Sequence, residues 1–123
     1  AAMSRPRTAA LVAEGFALGE GAVARGIDSS QRLRIRLEAT MDTAGIAVWL
    51  SPAATGPAPP GLDYIGDPVM ATPWTHAHLP VITIPAGVAA DGLPLGLQIA
   101  GHIGADEELV AQARSIETIL GGR

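Results

Sequence analysis

Serine and histidine are the side chains in this sequence best suited to nucleophilic chemistry, because the chain contains neither cysteine nor lysine. Ser29 and Ser30 stand at the start of an amphipathic stretch, where serine side chains cap helices, and Ser51 closes an apolar run. No Gly-x-Ser-x-Gly motif is present, and the lack of lysine excludes a Ser–Lys pair. The sequence therefore predicts no catalytic residue in this chain.

His76 and His78 form a His-x-His pattern within a proline-rich stretch. If the segment is extended, both rings lie on one side of it and could approach a metal ion. A metal site would also need carboxylates such as Asp63 or Asp67 nearby, and no HExxH motif supports one. The glycines do not form a phosphate-binding motif either. We interpret the two histidines as loop residues, one of them lining a pocket, and predict no metal and no cofactor.

The composition favours a single folded region over residues 1–123 with an aliphatic core. Hydrophobic residues make up 48% of the chain, but only 3% of it is aromatic. All eight basic residues are arginines and none lies between Arg36 and Arg114, so the basic cluster that binds nucleic acid is missing. No apolar run approaches the ~18 residues of a membrane span, and no signal-peptide pattern is visible. We expect a cytoplasmic protein without nucleic-acid or membrane partners.

Helical signals occupy the first third of the chain. Pro6 suits the first turn of a helix, and we predict that helix over residues 6–19. A second helix is predicted over residues 28–44, with Asp28 and Ser29 as candidate N-caps and Gly45 at its end. Its buried side recurs at helical spacing, at Leu33, Leu37 and Met41.

Strand and turn signals dominate the rest. The apolar run at 46–50 predicts a strand buried on both faces. Most of the prolines fall in a loop over residues 52–80, which they should keep free of a central strand or a long helix. Strands over 81–85 and 95–100 are predicted to pair antiparallel, with Leu97 and Ile99 on one face and Gln98 and Ala100 on the other.

The last predicted element is a helix over residues 105–120 with an acidic first turn. Its buried stripe should consist of Leu109, Ala113, Ile116 and Leu120.

Several segments resemble motifs of the amidase signature family of serine hydrolases. The string LSPAATGPAP at residues 50–59 is similar to the family's LLTPTTPGPAP. GDP at 66–68, followed by PWT at 73–75, resembles the family's GDP…PWT loop. Residues 79–87 resemble its LPAVSLPAG strand, and residues 92–101 resemble its GLPVGLQLVG strand.

This resemblance implies an α/β fold, the C-terminal part of the amidase signature fold, in which a mixed β-sheet is flanked by helices. The family hydrolyses amides with a serine, a cis-peptide serine and a lysine, all upstream of the segments resembled here. The substrate-pocket candidates implied for this chain are Asp67, Trp74, Thr75 and His78, although Trp74 also fits a buried structural role. His78 stands where many members have glycine and Ala71 where many have asparagine; His78 is expected to restrict the backbone and narrow the pocket.

Three hypotheses about function remain open, one of them a scaffold fragment with no activity and no ligand; the other two are as follows. In the first, the chain is the C-terminal structural and pocket-forming portion of an amide-hydrolysing enzyme, not catalytic by itself. Its partners would be a small-molecule amide in the complete enzyme and either a complementary amidase segment or further copies of itself. In the second, the chain is a degenerate stand-alone amidase-like domain that acts as a binding or interaction module. The first predicts a large exposed apolar face, because strands without edge charges between Val81 and Gly101 would lack their covering segments.

Overall fold

The computed structural model describes residues 6–121, with side chains from residue 8 onward. The described residues form four α-helices and a three-stranded antiparallel sheet. The elements, in chain order, are α1 (Pro6–Ala17), α2 (Ala22–Ala44), β1 (Trp49–Pro52), α3 (Thr72–Ala77), β2 (Val81–Val88), β3 (Pro94–Ala100) and α4 (Asp106–Gly121), with a 3₁₀ helix at Pro68–Met70. The fold is α/β, as predicted.

The sheet has the strand order β1-β3-β2, and both of its pairings are antiparallel. The predicted pairing of the two strands after residue 80 is confirmed, with Ile82 opposite Ile99 and Thr83 opposite Gln98. A β-bulge between Pro85 and Gly87 shifts the register near the turn.

The two faces of the sheet carry separate apolar clusters. On the face of Leu97 and Ile99, α4 packs against β2 and β3, and Ile84, Ile99, Leu109 and Ala113 are buried together. On the face of Ala100, the buried cluster joins Trp74, Ala77 and Leu79 of the α3 region to Ala100. Leu33 and Leu37 of α2 pack against this second cluster. Two predictions are therefore confirmed: the alternation of faces along β3, and the apolar side of α4 that packs on the sheet.

Helix α2 begins six residues earlier than predicted. Gly21, with φ 78°, lies at its N-terminus, so Asp28 and Ser29 are inside the helix and are not caps. Ser30 is buried, and its hydroxyl donates to the main-chain carbonyl of His76. The predicted end is confirmed, because Gly45 adopts a left-handed conformation with φ 64°.

Strand β1 starts three residues later than predicted, and α1 ends at Ala17, earlier than the expected residue 19. The N–H of Ile46 donates to the carbonyl of Met41 at 3.0 Å, so this residue still belongs to the end of α2. Expecting β1 to be buried on both faces was also wrong, because Leu50 is exposed. As an outer strand of the described sheet, β1 has β3 as its neighbour there.

The proline-rich stretch contains more structure than the loop predicted over 52–80. Pro68 begins the 3₁₀ helix, and Pro73 lies in the first turn of α3. At these positions the missing proline N–H removes no helical hydrogen bond. The prolines therefore start two short helices that were not predicted, while the exclusion of a long helix from this stretch agrees with the structure.

Each outer strand places a proline toward its open edge. In an antiparallel pair, every second residue of a strand bonds to its neighbour and the residues between point away from it. The Gly101 N–H donates to the Pro80 carbonyl, so the residues of β2 that bond to β3 are the even-numbered ones. The main-chain groups of Val81, Thr83 and Pro85 therefore point away from β3. On β1, the Ala53 N–H donates to the Gly96 carbonyl, so the odd-numbered residues bond to β3. The main-chain groups of Leu50 and Pro52 then point outward. The expectation that the strands between Val81 and Gly101 lack edge protection is thus wrong at Pro85, because proline has no N–H to donate to another strand. Pro52 protects the edge of β1, which that expectation did not cover, in the same way.

Candidate functional site

A cleft runs beside the short helix α3, and we call it the α3 cleft. It measures 420 Å³ and is lined by Pro68, Ala71, Thr72, Thr75, His76 and His78. Two of the four predicted pocket residues, Thr75 and His78, therefore lie in one wall. Both are exposed, so their hydroxyl and imidazole groups are accessible to a ligand.

Asp67 stands next to this cleft, immediately before its lining residue Pro68. Its carboxylate accepts a hydrogen bond from the Val69 N–H at 2.9 Å and thereby caps the 3₁₀ helix. One carboxylate oxygen holds the turn. Because Asp67 is exposed, the other oxygen can accept a second hydrogen bond.

Trp74 lies away from the cleft, in the hydrophobic core, with 9% of its surface exposed. Its indole ring lies 6.3 Å from that of Trp49, and both indole N–H groups are buried without a hydrogen-bond partner among the described residues. On the six-residue helix α3, Trp74 and Ala77 are buried while Thr72, Thr75 and His76 line the cleft. The helix thus joins the cleft wall to the core.

His78 ends α3 in a left-handed backbone conformation, with φ 55° and ψ 33°. Among residues 6–121, His78 is the only residue other than glycine that has a positive φ. Histidine adopts this region at some energetic cost, whereas glycine does so freely. The backbone at this position therefore has a conformation that glycine favours, and the His78 side chain lines the cleft.

His76 lies within α3, so the interpretation of both histidines as loop residues was wrong for His76. Its Nε2 lies 3.1 Å from Ser29 Oγ, which connects α3 to α2. In residues 8–121 no group of three or more histidine, aspartate and glutamate side chains is arranged to hold a metal ion. Over the same part of the chain, no helix combines the length and apolar character needed to cross a bilayer.

A second cleft, which the sequence analysis did not identify, lies at one end of the sheet. This sheet-end cleft measures 870 Å³. It is lined mainly by β1, the loop after it and the start of β3, including Ser51, Thr55, Met70 and Leu95. Ser51 donates to the buried Gln98 Oε1 at 3.3 Å, which fixes its hydroxyl at the cleft wall. The signal that could have revealed it was the family-like string at residues 50–59, whose residues form much of its lining.

Both clefts are open to solvent on the surface of a small α/β unit. A family model described as "Amidase" matches residues 22–110, which is most of the chain. The chain belongs to the amidase family.

Curated relatives agree with this assignment, and two of them are A subunits of a glutamyl-tRNA(Gln) amidotransferase. The mitochondrial one from Mycosarcoma maydis is 35% identical over 113 residues, which covers 76% of this chain and 21% of that protein. The one from Xanthobacter autotrophicus is 35% identical over 104 residues, covering 75% of this chain and 21% of its own length. This chain therefore spans about a fifth of the length of these relatives. No solved structure matches it significantly.

Proposed function

We propose that this chain supplies the non-catalytic, pocket-forming portion of an amide-hydrolysing enzyme of the amidase family. The observation that carries this proposal is the family match over residues 22–110 in a chain that contains no lysine. The family resemblance implies two serines and a lysine as the reacting groups. Without lysine, this chain cannot complete that set, and the covalent step belongs to a part of the fold that it does not contain.

Asp67, Thr75 and His78 are the residues we propose for substrate recognition. Together they offer a carboxylate acceptor, a hydroxyl and an imidazole around the α3 cleft. Such groups can bind the N–H and C=O of a small-molecule amide. We assign Trp74 an indirect role, because its packing in the core holds α3, and with it the cleft wall, in position.

The chain exposes more surface than a complete domain of its size. Its accessible area is 9005 Å², whereas a compact protein of this mass exposes roughly 6,200 Å². Large apolar side chains contribute to the excess, and Phe16 of α1 is 88% exposed. This surface supports a partner that completes the fold, either a complementary amidase segment or a second copy of the chain. The cytoplasm is the setting we propose.

Complementation of activity tests the proposal. The probe is the portion of the Xanthobacter autotrophicus relative that precedes its matched region, which we call the upstream segment. It is co-expressed with this chain and assayed with an aryl anilide as substrate. We expect no turnover from either chain alone and measurable turnover from the complex. Turnover by this chain alone would contradict the proposal, and its loss in Ser29→Ala/Ser30→Ala would place the nucleophile on α2.

Two variants test the site within the complex. Thr75→Val keeps the side-chain shape but removes the hydroxyl, so we expect it to raise KM. The matched control is Thr43→Val, also an exposed threonine but on α2, and it should leave KM unchanged. A complex that forms without turnover would favour the binding-module alternative.

A further inference from the structure

The lining of the sheet-end cleft carries no charge. Among the described residues, those that line it are apolar side chains and glycines, with Ser51 and Thr55 as the polar exceptions. The cleft's 870 Å³ falls within the range of small-molecule sites, which are mostly apolar with a few placed polar groups. An ion entering it would lose water without gaining an opposite charge. The lining therefore fits an uncharged, mainly apolar molecule.

Ser51 gives this cleft one defined polar group. Its hydroxyl donates to Gln98 Oε1 at 3.3 Å, and Gln98 is buried. A serine hydroxyl has a single hydrogen to donate, so Ser51 Oγ can offer a molecule in the cleft only a hydrogen-bond acceptor. The matching ligand carries an N–H or O–H group on its apolar body.

The sheet-end cleft is distinct from the α3 cleft. Met70, the last residue of the 3₁₀ helix, lines the sheet-end cleft, whereas Pro68 and Ala71 line the α3 cleft. Among the described residues, none lines both. A molecule in the sheet-end cleft would therefore leave Thr75 and His78 free.

The loop between Ala58 and Met70 carries exposed apolar side chains beside the sheet-end cleft. Ala58 and Met70 both line the cleft, so the loop starts and ends at its wall. Within the loop, Leu62 is 91% exposed and Ile65 is 84% exposed. Leu62 lies four residues from Ala58 and Ile65 five from Met70, so the chain keeps both within roughly 18 Å of the wall.

Two glycines bracket these side chains. Gly61 has φ 83° and Gly66 has φ 100°. Glycine occupies positive and negative φ with similar ease, so these positions can act as hinges for the segment between them. Movement of Leu62 and Ile65 onto an apolar ligand would remove their side chains from water, which favours closure.

We propose that the sheet-end cleft binds an uncharged small molecule with an apolar body and one N–H or O–H donor, and that residues 59–67 close over it. The donor bonds to Ser51 Oγ, while Leu62 and Ile65 cover the apolar body. This site goes beyond the proposed function, because binding there requires neither an amide nor a catalytic step.

Two neutral ligands of nearly the same shape test the hydrogen bond. Indole has an apolar bicyclic body with one N–H, and benzothiophene has sulfur in place of that N–H. Titration of the full chain, followed by nuclear magnetic resonance at the Ser51 and Leu95 amides, gives both dissociation constants. We expect indole to bind roughly fivefold more tightly, because it alone can donate to Ser51 Oγ. Equal affinities, or no saturable shifts at these amides, would overturn the inference.

Variants of Ser51 and Ile65 test the two parts of the site separately. Ser51→Ala should lower the affinity for indole to that for benzothiophene, and unchanged benzothiophene binding would show that the variant is folded. Ile65→Ser should weaken both ligands at least roughly threefold. Ile119→Ser is the matched control, since Ile119 is an exposed isoleucine of α4 that does not line the cleft. Equal effects of the two isoleucine variants would overturn closure by the loop.

Titration in the presence of the upstream segment distinguishes a ligand site from a protein interface. We expect the complex to bind indole with the same dissociation constant as the chain alone. Loss of indole binding on complex formation would mean that polypeptide fills the sheet-end cleft, which would overturn the inference. The titration of the chain alone decides the inference if no complex forms.

Discussion

The indole rings of Trp49 and Trp74 lie 6.3 Å apart, centre to centre, with their planes inclined by 35°. This contact joins β1 to α3, and therefore the sheet to the helix that forms the wall of the α3 cleft. Both rings bury an indole N–H that has no partner among the described residues. The two tryptophans therefore stabilise the cleft wall through apolar packing.

Truncating Trp74 should strongly destabilise the chain. We expect Trp74→Ala to lower the free energy of unfolding by about 3–5 kcal/mol, because it leaves a cavity in the core. Trp74→Phe should cost much less, since it keeps an aromatic ring and removes the buried indole N–H. Urea unfolding followed by circular dichroism measures both. Tyr64→Ala, at an exposed aromatic residue, is the control, and a loss equal to that of Trp74→Ala would refute a core role for Trp74.

Gly96 should not tolerate a side chain. A Cβ at this position would lie 2.7 Å from Thr83 Cγ2 and 3.0 Å from Ala53 Cβ. We expect Gly96→Ala to destabilise the sheet by about 1–3 kcal/mol. Adding Thr83→Ser, which removes the clashing methyl group, should recover part of that loss in a double-mutant cycle.

Gly26→Ala is the matched control for Gly96→Ala. Gly26 lies in α2, and a Cβ there would meet nothing within 4 Å. Gly26→Ala should therefore stabilise the helix, by up to about 1 kcal/mol. If Gly96→Ala and Gly26→Ala shift the melting temperature in the same direction, the packing of Thr83 against Gly96 is not as described.

The left-handed conformation of His78 makes the stability of its variants depend on backbone preference. His78→Val should destabilise by about 1–2 kcal/mol, because a β-branched residue is strongly disfavoured at φ 55°. His78→Asn and His78→Gly should unfold at or above the wild-type temperature. Thermal denaturation of the three variants gives the order. A melting temperature of His78→Val equal to or above that of His78→Gly would mean that His78 does not adopt the left-handed conformation.

Ser30 and Ser29 should differ because one is buried and the other only partly so. Removing the Ser30 hydroxyl leaves the carbonyl of His76 without that donor, so we expect Ser30→Ala to cost about 1 kcal/mol or more. Ser29→Ala should cost less, since its contact with His76 Nε2 is exposed to solvent. Urea midpoints for the two variants provide the comparison. A larger loss for Ser29→Ala would contradict the assignment of Ser30 as the more important contact between α2 and α3.

The sequence was most informative where hydrophobic periodicity alone determines structure. The alternation of β3 and the stripe of α4 predicted which side chains share a face, because burial against a sheet enforces these spacings. The start of α2 was missed because Gly21 begins the helix in a left-handed conformation, for which the sequence offers only a glycine. Helix α3 was missed because its prolines were taken as evidence against a long helix, and their suitability for the first turn of a short one was not considered.

The candidate site was predictable only through the family resemblance. Thr75 and His78 share the α3 cleft because α3 folds as a helix, and no spacing rule for an extended loop brings them together. The sheet-end cleft depends on the pairing of β1 with β3 and on the loop after β1, which are tertiary features. No local pattern identifies such a cavity.

If this chain is one part of a larger amidase fold, it needs the rest of that fold to cover its surface. Sedimentation velocity examines this requirement, with the chain alone and then mixed with the upstream segment. We predict self-association of the chain alone and a one-to-one complex in the mixture, because large apolar side chains such as Phe16, Leu62 and Ile65 are more than four fifths exposed. A chain that sediments as a compact monomer and does not bind the upstream segment would show that it is complete by itself.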